Sequence, residues 1–370
     1  MKYSYLLLLL LFLTACDDND PQATNPDDPT NLSLDIFVYE DESGTVVISA
    51  LAENTTEYHF FMDDDSPDPI IKSTGDLEYT YVRSGNYDIA VRAYGPSGRY
   101  LEKEERVFVA ADEPVDIGAG YSTPISYPEM TLVWNDEFDG QVLDSDVWSH
   151  DEGDGCPNLC GWGNNELEYY RAQNTWLDDG RLTIEAREET FGGRFYTSGK
   201  IVTRGKQAVQ YGRIDIRATL PKGQGIWPAL WGLGTNQASV GWPNCGEIDI
   251  MEMIGGNGRE NTIGGNVYYS IPSTPQPQSQ PKSYTLDQGT FADEFHVFSI
   301  VWDEQEITWF VDDIEYHSFP ITASDRDEFQ KPFYIIMNVA VGGNWPGAPD
   351  QTTVFPTRMQ VDYIRVFQDN

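Results

Sequence analysis

The hydrophobic pattern of this chain is typical of a protein made almost entirely of β-strands. Short runs of alternating apolar and polar residues recur along it, and few stretches keep the period of a helix. Turn-forming Gly, Pro, Asn and Ser residues separate these runs, as expected between the strands of antiparallel sheets. We therefore predict an all-β protein, with strands in the runs 45–49, 58–62, 79–82, 87–93, 182–186, 211–218, 307–311, 333–339 and 360–367.

The strand-like runs fall into two groups, separated by a segment with several Pro and Gly residues. Residues 32–111 predict a small β-sandwich, and residues 128–370 predict one large antiparallel sandwich or jelly roll. The intervening residues 112–127 are interpreted as a linker. In the small group, the spacing Tyr-x-x-x-Gly-x-Tyr from Tyr81 to Tyr87 resembles the immunoglobulin-like PKD modules of secreted enzymes. That resemblance implies a spacer or an accessory binding module.

The first residues have the pattern of a bacterial export signal. Their apolar run is too short to span a bilayer, so residues 1–15 are predicted to be a signal peptide. The sequence Leu-Thr-Ala-Cys ending at Cys16 resembles the lipobox of bacterial lipoproteins, which implies lipidation of Cys16. Residues 16–31 are polar and predict a flexible tether, whose acidic start resembles the export tag of surface lipoproteins. We expect an exported lipoprotein of the outer membrane that faces the cell exterior and meets the membrane only through its lipid.

The composition limits the partners of the chain. Its 370 residues contain 60 Asp and Glu against 23 Lys and Arg, a net charge of −37. Such a field repels phosphate backbones and disfavours polyanionic substrates, so nucleic acid is not an expected partner. Aromatic residues make up 13% of the chain, including 10 Trp, and sugar rings stack their apolar faces on aromatic rings. A neutral polysaccharide fits both features.

Three cysteines remain once Cys16 is assigned to the export signal. An odd number permits at most one internal bridge and leaves one thiol. The spacing from Cys156 to Cys160 suits a small loop staple. A metal site is the alternative, but no His lies nearby in the sequence to complete it. The third residue, Cys245, has no identifiable base partner and is interpreted as structural.

The sharpest local feature is the run Gly-Glu-Ile-Asp-Ile-Met-Glu at 246–252. In a strand, alternate side chains share a face, so Glu247 and Asp249 point together while Ile248 faces the core. Glu252 lies an odd number of residues from Glu247 and would point to the opposite face. A β-bulge between Asp249 and Glu252 would restore it, and bulges are frequent beside active sites. The sequence therefore predicts a bulged strand with three carboxyl groups on one face.

Three acids on one strand face repel each other, a cost that a purely structural edge strand would avoid. Two carboxyl groups roughly 5 Å apart are the geometry of a retaining glycosidase. One must be ionised to attack the anomeric carbon, and the other must be protonated to assist the leaving oxygen. Repulsion and partial burial help to separate their pKa values. Glu247 and Glu252 are the candidate pair, with Asp249 placed to modulate both.

Together with the motifs around it, this run resembles glycoside hydrolase family 16 in its bulged Glu-x-Asp-x-x-Glu form. The likeness extends across the second group of strands and is carried by Trp-Asn-Asp-Glu-Phe at 134–138, and by the runs at 163–170, 227–231, 341–347 and 361–366. It implies a concanavalin-like β-jelly-roll with an open cleft. It also implies an endo-β-1,3-glucanase of the laminarinase type, with Glu247 as nucleophile, Glu252 as acid/base and Asp249 assisting.

The resemblance implies further site residues. Aromatic side chains would line the cleft and polar ones would bind sugar hydroxyls, at Asn165, Arg187, Trp227, Trp231, Tyr268 and Trp345. Tyr268 stands where laminarinases usually carry a His, which puts the accepted linkage in question. No cofactor is implied for catalysis, but a structural calcium would map to Glu137, the Gly180 carbonyl and Asp362. The enzyme is expected to be a monomer.

Three other functions compete with this one. The first is a hydrolase of the same fold that acts on mixed-linkage β-glucan or on a red-algal galactan such as agar or porphyran. The run Gly-Gly-Asn-Trp-Pro at 342–346 favours β-1,3-glucan, and a sulfated galactan would call for more basic residues. The second is a non-catalytic glucan-binding protein, whose relatives typically lose one of the two glutamates. The third is a structural adhesin, which leaves the three acids unexplained.

Overall fold

The computed structural model describes residues 25–39, 43–64, 68–81, 84–111, 115–274 and 276–370. The predicted signal peptide, Cys16 and the first part of the tether lie outside the described residues. The chain forms two compact units, a small one made of residues before 110 and a large one that includes 110–370. Both units consist of strands, which confirms the all-β prediction. Within the described ranges, no helix has the length and apolar character needed to cross a membrane.

The small unit contains two antiparallel sheets. One sheet has the strand order β1-β2-β5 and the other β4-β3-β6-β7, with neighbours paired antiparallel. These strands are β1 (Thr30–Val38), β2 (Thr45–Glu53), β3 (Glu57–Phe61), β4 (Ile70–Lys72), β5 (Asp76–Thr80), β6 (Gly85–Tyr94) and β7 (Tyr100–Val109).

Alternation along these strands builds the core of the small unit. On β2, Val46 and Ile48 are fully buried while the residues between them are more exposed, as expected for a sheet with one face on a core. On β6, Ile89 and Val91 follow the same period. The buried hydroxyl of Tyr81 donates to the Met62 carbonyl at 2.7 Å, so this polar atom has a partner in the core.

The large unit contains strands β8–β25 and very little helix. Its strands are β8 (Met130–Asp136), β9 (Ser149–His150), β10 (Glu168–Tyr170), β11 (Thr175–Asp178), β12 (Arg181–Phe191), β13 (Arg194–Ser198), β14 (Lys200–Val202), β15 (Gly212–Thr219), β16 (Ile226–Gly234), β17 (Glu247–Met253), β18 (Thr262–Tyr269), β19 (Gln278–Ser279), β20 (Lys282–Thr285), β21 (His296–Trp302), β22 (Glu306–Val311), β23 (Ile314–Pro320), β24 (Phe333–Val341) and β25 (Thr357–Asp369). The helical elements are one α-helical turn, α1 (Gln237–Val240), and 3₁₀ turns at Cys160–Gly163, Ala172–Asn174 and Asp327–Gln330.

The strands of the large unit form two sheets. The ten-stranded sheet has the order β10-β13-β12-β25-β15-β21-β22-β23, with β11 paired to β12 and β8 to β25. The eight-stranded sheet has the order β19-β18-β17-β16-β24-β14-β9, with β20 paired to β18. One large apolar core draws residues from both sheets, including Ile184 and Ile216 from the first, and Leu230 and Met337 from the second. Strand β24 is buried along its whole length, which marks it as a central strand of this sheet.

The predicted linker differs from what the structure shows. Residues 115–127 belong to the large unit, where the buried guanidinium of Arg217 donates to the carbonyls of Ile117, Ala119 and Tyr121 at 2.6–2.7 Å. The Thr123 backbone N–H also donates to the Tyr363 hydroxyl at 2.8 Å. A buried guanidinium needs acceptors for its donors, and this extended segment supplies them. The Pro and Gly content that predicted a linker is equally compatible with such a segment.

Candidate active site

The acidic motif lies on strand β17 of the eight-stranded sheet, and this strand is bulged. On the β18 side, successive pairs advance by three residues on β17, from Asp249 to Glu252, but by two residues on β18. The same irregularity appears on the β16 side. Ile250 and Met251, which lie within the bulge, both enter the core. The bulge therefore returns Glu252 to the face that carries Glu247 and Asp249, which confirms the predicted register.

The opposite sheet supports this bulge through one side chain. Trp309 of β22 is fully buried, and its indole N–H donates to the Asp249 carbonyl at 2.8 Å. Gly265 of β18 makes room for it, because a Cβ there would lie 2.6 Å from a Trp309 ring atom. A bulge disrupts the strand ladder locally, so the indole gives a buried carbonyl at this point a partner.

The three carboxyl groups open onto a cleft of about 430 Å³. Besides these acids it is lined by aromatic rings, namely Trp162, Trp227, Trp231, Trp242 and Tyr268. A concave site with mostly apolar walls and a few convergent polar groups is the usual form of a ligand site. Rings that present flat apolar faces next to carboxylates are suited to a sugar chain.

Four of the six predicted substrate-binding residues lie at this cleft. Trp227, Trp231 and Tyr268 line it. Trp345 is 49% exposed, and its ring centre lies 5.4 Å from that of Trp227, edge to face. Burial raises the pKa of Tyr268 to about 12, and the nearby carboxyl charges add to this effect. The Tyr268 hydroxyl therefore remains protonated and can donate a hydrogen bond, as a neutral group in the position where laminarinases carry a His.

The other two predicted residues do not line the cleft. Asn165 is exposed, and its amide donates to the Asn344 side chain at 2.8 Å, so it ties together two loops next to the cleft. Arg187 lies on β12 of the ten-stranded sheet, beyond Ile184 and Ala186, which point into the core. Alternation directs Arg187 to the outer face, where it pairs with Glu185. Arg187 is thus held in an ion pair outside the cleft lining, and sugar binding by this residue stays a prediction.

The carboxyl groups of Glu247 and Glu252 each accept a hydrogen bond from an indole. The Trp227 Nε1–H donates to Glu252 Oε1 at 3.0 Å, and the Trp242 Nε1–H donates to Glu247 Oε2 at 2.9 Å. Trp242 also contacts Tyr268, with ring centres 5.8 Å apart. The sequence analysis did not select Trp242. Its position in Gly-Trp-Pro, five residues before Glu247, was the available signal.

Burial and neighbouring negative charges hold the pKa values of both glutamates above the ordinary range. For Glu247, burial raises the pKa and the charge of Glu252 raises it further, while the Trp242 hydrogen bond and the charge of Lys200 oppose the rise. For Glu252, burial raises the pKa, the Trp227 hydrogen bond opposes the rise, and the charge of Glu166 adds to it. Raised pKa values of two groups in one cleft disfavour the form in which both are ionised. The cation Lys200 favours the ionised form at Glu247.

Asp249 lies between the two glutamates along β17 and is almost completely buried. Burial raises its pKa well above the ordinary range, and the charges of Glu252 and Glu247 add to the shift. Its Oδ2 has no hydrogen-bond partner among the described protein atoms. A protonated Asp249 can therefore donate a hydrogen bond to an ionised neighbour, which agrees with the assisting role expected from the sequence.

A hydrogen-bonded chain of polar side chains lies beneath the aromatic floor of the cleft. The Trp231 indole donates to Asn338 at 2.7 Å, Asn338 donates to the Tyr170 hydroxyl at 3.1 Å, and Tyr170 donates to Glu166 at 3.2 Å. Asn164 completes the chain by donating to Glu166 at 3.1 Å. These residues fix the ring of Trp231 and place a carboxylate near Glu252. Sequence reasoning missed this chain because its members come from one loop and three strands that are far apart in the sequence.

Lys200 lies in the same row of paired residues across the sheet as Glu252. It pairs with Asn338 on β24, which pairs with Ala229 on β16, which pairs with Glu252 on β17. Its ammonium group lies 4.2 Å from the ring centre of Trp162, and burial lowers its pKa. The small side chain of Ala229 leaves space between this cation and the carboxyl groups. An aromatic cage around an ammonium ion stabilises its charge.

The predicted calcium ligands do not fit a cation. The Glu137 carboxylate accepts two hydrogen bonds from Arg365, at 2.8 and 2.6 Å, and Asp362 pairs with Arg217 at 2.6 Å. Calcium prefers several oxygen ligands that are free to bind it, and here each carboxylate is already neutralised by a guanidinium. Elsewhere in the described ranges, no group of three His, Cys, Asp or Glu side chains is arranged to hold a metal ion.

The cysteine pairing follows the sequence spacing. Cys156 and Cys160 form a disulfide in the loop that leads to the cleft residues Leu159 and Trp162. Cys245 is buried and unpaired, and burial raises its pKa to about 11. A thiol with so high a pKa is a poor nucleophile, so Cys245 packs as a small apolar side chain.

An all-β double sheet with a cleft, two carboxyl groups on one face of a bulged strand and aromatic walls is the arrangement expected of a glycoside hydrolase. Comparison with known families gives the particular group. Residues 162–365 match the model of glycosyl hydrolases family 16. The chain belongs to that family.

Characterised relatives are similar over the large unit. The chain is 42% identical over 257 residues to a β-glucanase of Rhodothermus marinus, covering 65% of this chain and 86% of that protein. It is 38% identical over 277 residues to the glucan endo-1,3-β-glucosidase A1 of Niallia circulans, covering 69% of this chain but only 40% of that longer protein. The laminarinase catalytic domain of Thermotoga maritima superposes with a TM-score of 0.60 at 46% identity, covering 65% of this chain and 99% of that domain.

Proposed function

We propose that this family 16 hydrolase cleaves internal β-1,3 linkages of laminarin-type glucan with retention of configuration. The observation that carries the proposal is the bulge of β17, which brings Glu247 and Glu252 to one face of a cleft with an indole N–H on each carboxyl group. The identities of 38–46% to enzymes named as endo-1,3-β-glucanases, β-glucanases or laminarinases support the substrate class.

In the first step, an oxygen of the Glu247 carboxylate attacks the anomeric carbon of the sugar. The glycosidic bond breaks, and Glu252 gives its proton to the leaving oxygen, so the first product departs as an alcohol. The result is a glycosyl ester on Glu247. The Trp242 indole and the cation of Lys200 favour the negative form of Glu247, and so they oppose the rise in its pKa that burial causes.

In the second step, water attacks the same carbon from the opposite side. Glu252, now ionised, takes a proton from the water, and the ester bond to Glu247 breaks. Two displacements at one carbon restore its original configuration. Burial of Glu252 raises its pKa, and this helps the residue to hold a proton near neutral pH for the first step and accept one in the second.

The substrate assignment can be separated from the catalytic assignment in one experiment. Reducing-sugar release is measured from laminarin, mixed-linkage β-glucan, agarose and porphyran, with wild type and Glu247→Gln in parallel. We expect laminarin to be cut best and the variant to lose about 10⁴-fold or more of the activity, since it removes the nucleophile. Trp345→Phe, which keeps both carboxyl groups, is the matched control.

The two main alternatives give different results. A preference for a galactan or for mixed-linkage glucan would retain the catalytic pair but refute the β-1,3 assignment. Wild-type protein that binds laminarin without cutting any of the four polysaccharides would indicate a glucan-binding protein. The presence of both glutamates on the cleft face argues against that second outcome.

We also propose that the enzyme is displayed on the cell surface as a monomeric lipoprotein. The support is the sequence Leu-Thr-Ala-Cys ending at Cys16 and the acidic residues after it. Several acyl chains on one cysteine give stable membrane attachment. Cys16→Ser should move the enzyme from the membrane fraction to the soluble fraction, and external protease should release activity only from wild-type cells. Equal membrane retention of the variant would refute the anchor.

A further inference from the structure

The small unit carries an aromatic surface on the outside of its four-stranded sheet. Alternation along β3, β6 and β7 sends Phe60, Val91 and Ala93 into the core. The residues between them point outward instead. We call the outward group the outer aromatic face, and it consists of His59, Phe61, Arg92, Tyr94 and Tyr100. Aromatic rings gathered on the solvent side of a sheet differ from singly scattered apolar residues, which need no explanation.

The rings of this face contact one another across three strands. Tyr94 lies opposite Tyr100 in the register of β6 and β7, with ring centres 5.0 Å apart, and His59 lies 4.4 Å from Tyr94. The Arg92 guanidinium lies over the rings of Phe61 and Tyr100, at 4.5 and 4.8 Å. Tyr100 itself is 45% exposed. The result is a continuous patch of rings with a planar donor between them.

The arginines of the patch form ion pairs, and its histidine lies within hydrogen-bond distance of a carboxylate. Arg92 donates to Glu102, and His59 Nε2 lies 3.0 Å from Glu57. Further along the same face, Arg106 pairs with Asp88. Glu104 lies on the same face, so the carboxylates of the face outnumber its arginines and, with the net charge of −37, the face repels anions. Rings and hydrogen-bonding groups on a surface whose arginines are already paired suit a neutral ligand.

We infer that the outer aromatic face is a second carbohydrate-binding site, separate from the cleft, that holds neutral β-glucan chains. The apolar faces of sugar rings would stack on Tyr94 and Tyr100, and the Arg92 and Glu102 side chains would bind their hydroxyl groups. The choice of β-glucan as ligand rests on the function proposed above. Binding at such a site holds the hydrolase near insoluble or dilute substrate by raising its effective concentration.

The test uses the full chain with Glu247→Gln, which binds without cutting. Retention on insoluble β-1,3-glucan is compared for this protein and for the same protein with Tyr94→Ala and Tyr100→Ala. We expect about a tenfold rise in the apparent Kd, about 1.4 kcal/mol, because two stacking rings are lost. Tyr100→Phe keeps its ring and should bind as before. Leu51→Ala, which removes a side chain 72% exposed on the other sheet, is the matched surface control.

Activity assays separate this inference from the proposed function. In the otherwise wild-type chain, Tyr94→Ala and Tyr100→Ala should leave hydrolysis of short soluble β-1,3-glucan oligosaccharides unchanged and slow hydrolysis of the insoluble polymer. Unchanged retention of the double variant, or equal loss in Leu51→Ala, overturns the inference. So does a change from dimer to monomer with no change in retention, since the face would then join two copies. Laminarin hydrolysis by the wild type tests the proposed function independently.

Discussion

The two indole hydrogen bonds predict opposite effects on the pH dependence of the reaction. The acidic limb of kcat/KM follows deprotonation of the nucleophile Glu247, and the basic limb follows loss of the proton from Glu252. An indole N–H stabilises the ionised carboxylate and so lowers its pKa. Trp242→Phe should therefore raise the apparent pKa of the acidic limb, and Trp227→Phe should raise that of the basic limb. Each change keeps an aromatic ring in the cleft and removes one donor.

The expected size of these shifts follows from the geometry. A hydrogen bond to a charged group contributes about 1.5–3 kcal/mol, and each pKa unit corresponds to about 1.4 kcal/mol. The Trp227 bond, 3.0 Å long, is partly buried, so we expect a shift of about one to two units on the basic limb. Trp242 is 46% exposed and its donor competes with water, so we expect about one unit or less on the acidic limb.

The measurement is the full pH profile of kcat/KM on soluble laminarin for wild type, both variants and Trp345→Phe. The last variant removes an indole that lines the cleft region without bonding either glutamate, so it should lower the rate without moving a limb. The reasoning would be refuted if Trp242→Phe and Trp227→Phe moved the same limb, or if either limb moved toward lower pH. Because the two glutamates are coupled, a small secondary movement of the other limb is expected.

Three further predictions concern the groups around the pair. Lys200→Met removes a cation that lowers the pKa of Glu247, so the apparent pKa of the acidic limb should rise. Lys206→Met is the control and should leave that pKa unchanged, because the Lys206 ammonium binds the Ser145 and Trp148 carbonyls. Trp309→Phe removes the hydrogen bond to the Asp249 carbonyl and should lower the free energy of unfolding in denaturant by about 1–3 kcal/mol. The fall in kcat should be larger than the rise in KM. An unchanged kcat would show that the indole does not hold the bulge. Cys156→Ser opens a short disulfide loop and should lower the free energy of unfolding by about 2 kcal/mol, which corresponds to a fall in Tm of roughly 4–8 °C. Wild-type protein in reductant should show the same lower Tm.

The arrangement of the site explains how one strand can carry both reacting groups. A regular strand would place Glu247 and Glu252 on opposite faces, and two nearby glutamates on one face would need an even spacing. The bulge permits the odd spacing, and the extra residue sends both Ile250 and Met251 into the core. Core packing of these two apolar side chains therefore stabilises the register on which catalysis depends.

The sequence alone was sufficient for the all-β class, the bulged strand and the catalytic motif. These features are local, since strand periodicity shows which face each residue of β17 takes and the odd spacing of the acids requires a bulge. The spacing of Cys156 and Cys160 suggested the loop staple that the structure contains, without deciding the pairing. Three cleft residues, Trp227, Trp231 and Tyr268, came from the family resemblance.

Only the tertiary structure decided which distant residues meet the motif. Lys200 and Glu166 reach the catalytic pair through strands β14 and β24 and through a loop, and no sequence period relates them to β17. Arg187, Glu137 and Asp362 show the same dependence, because each is held in an ion pair whose partner no sequence period predicts. Local pattern fixes the face on which a residue lies, whereas the pairing order of strands fixes its neighbours, and that order depends on the whole chain.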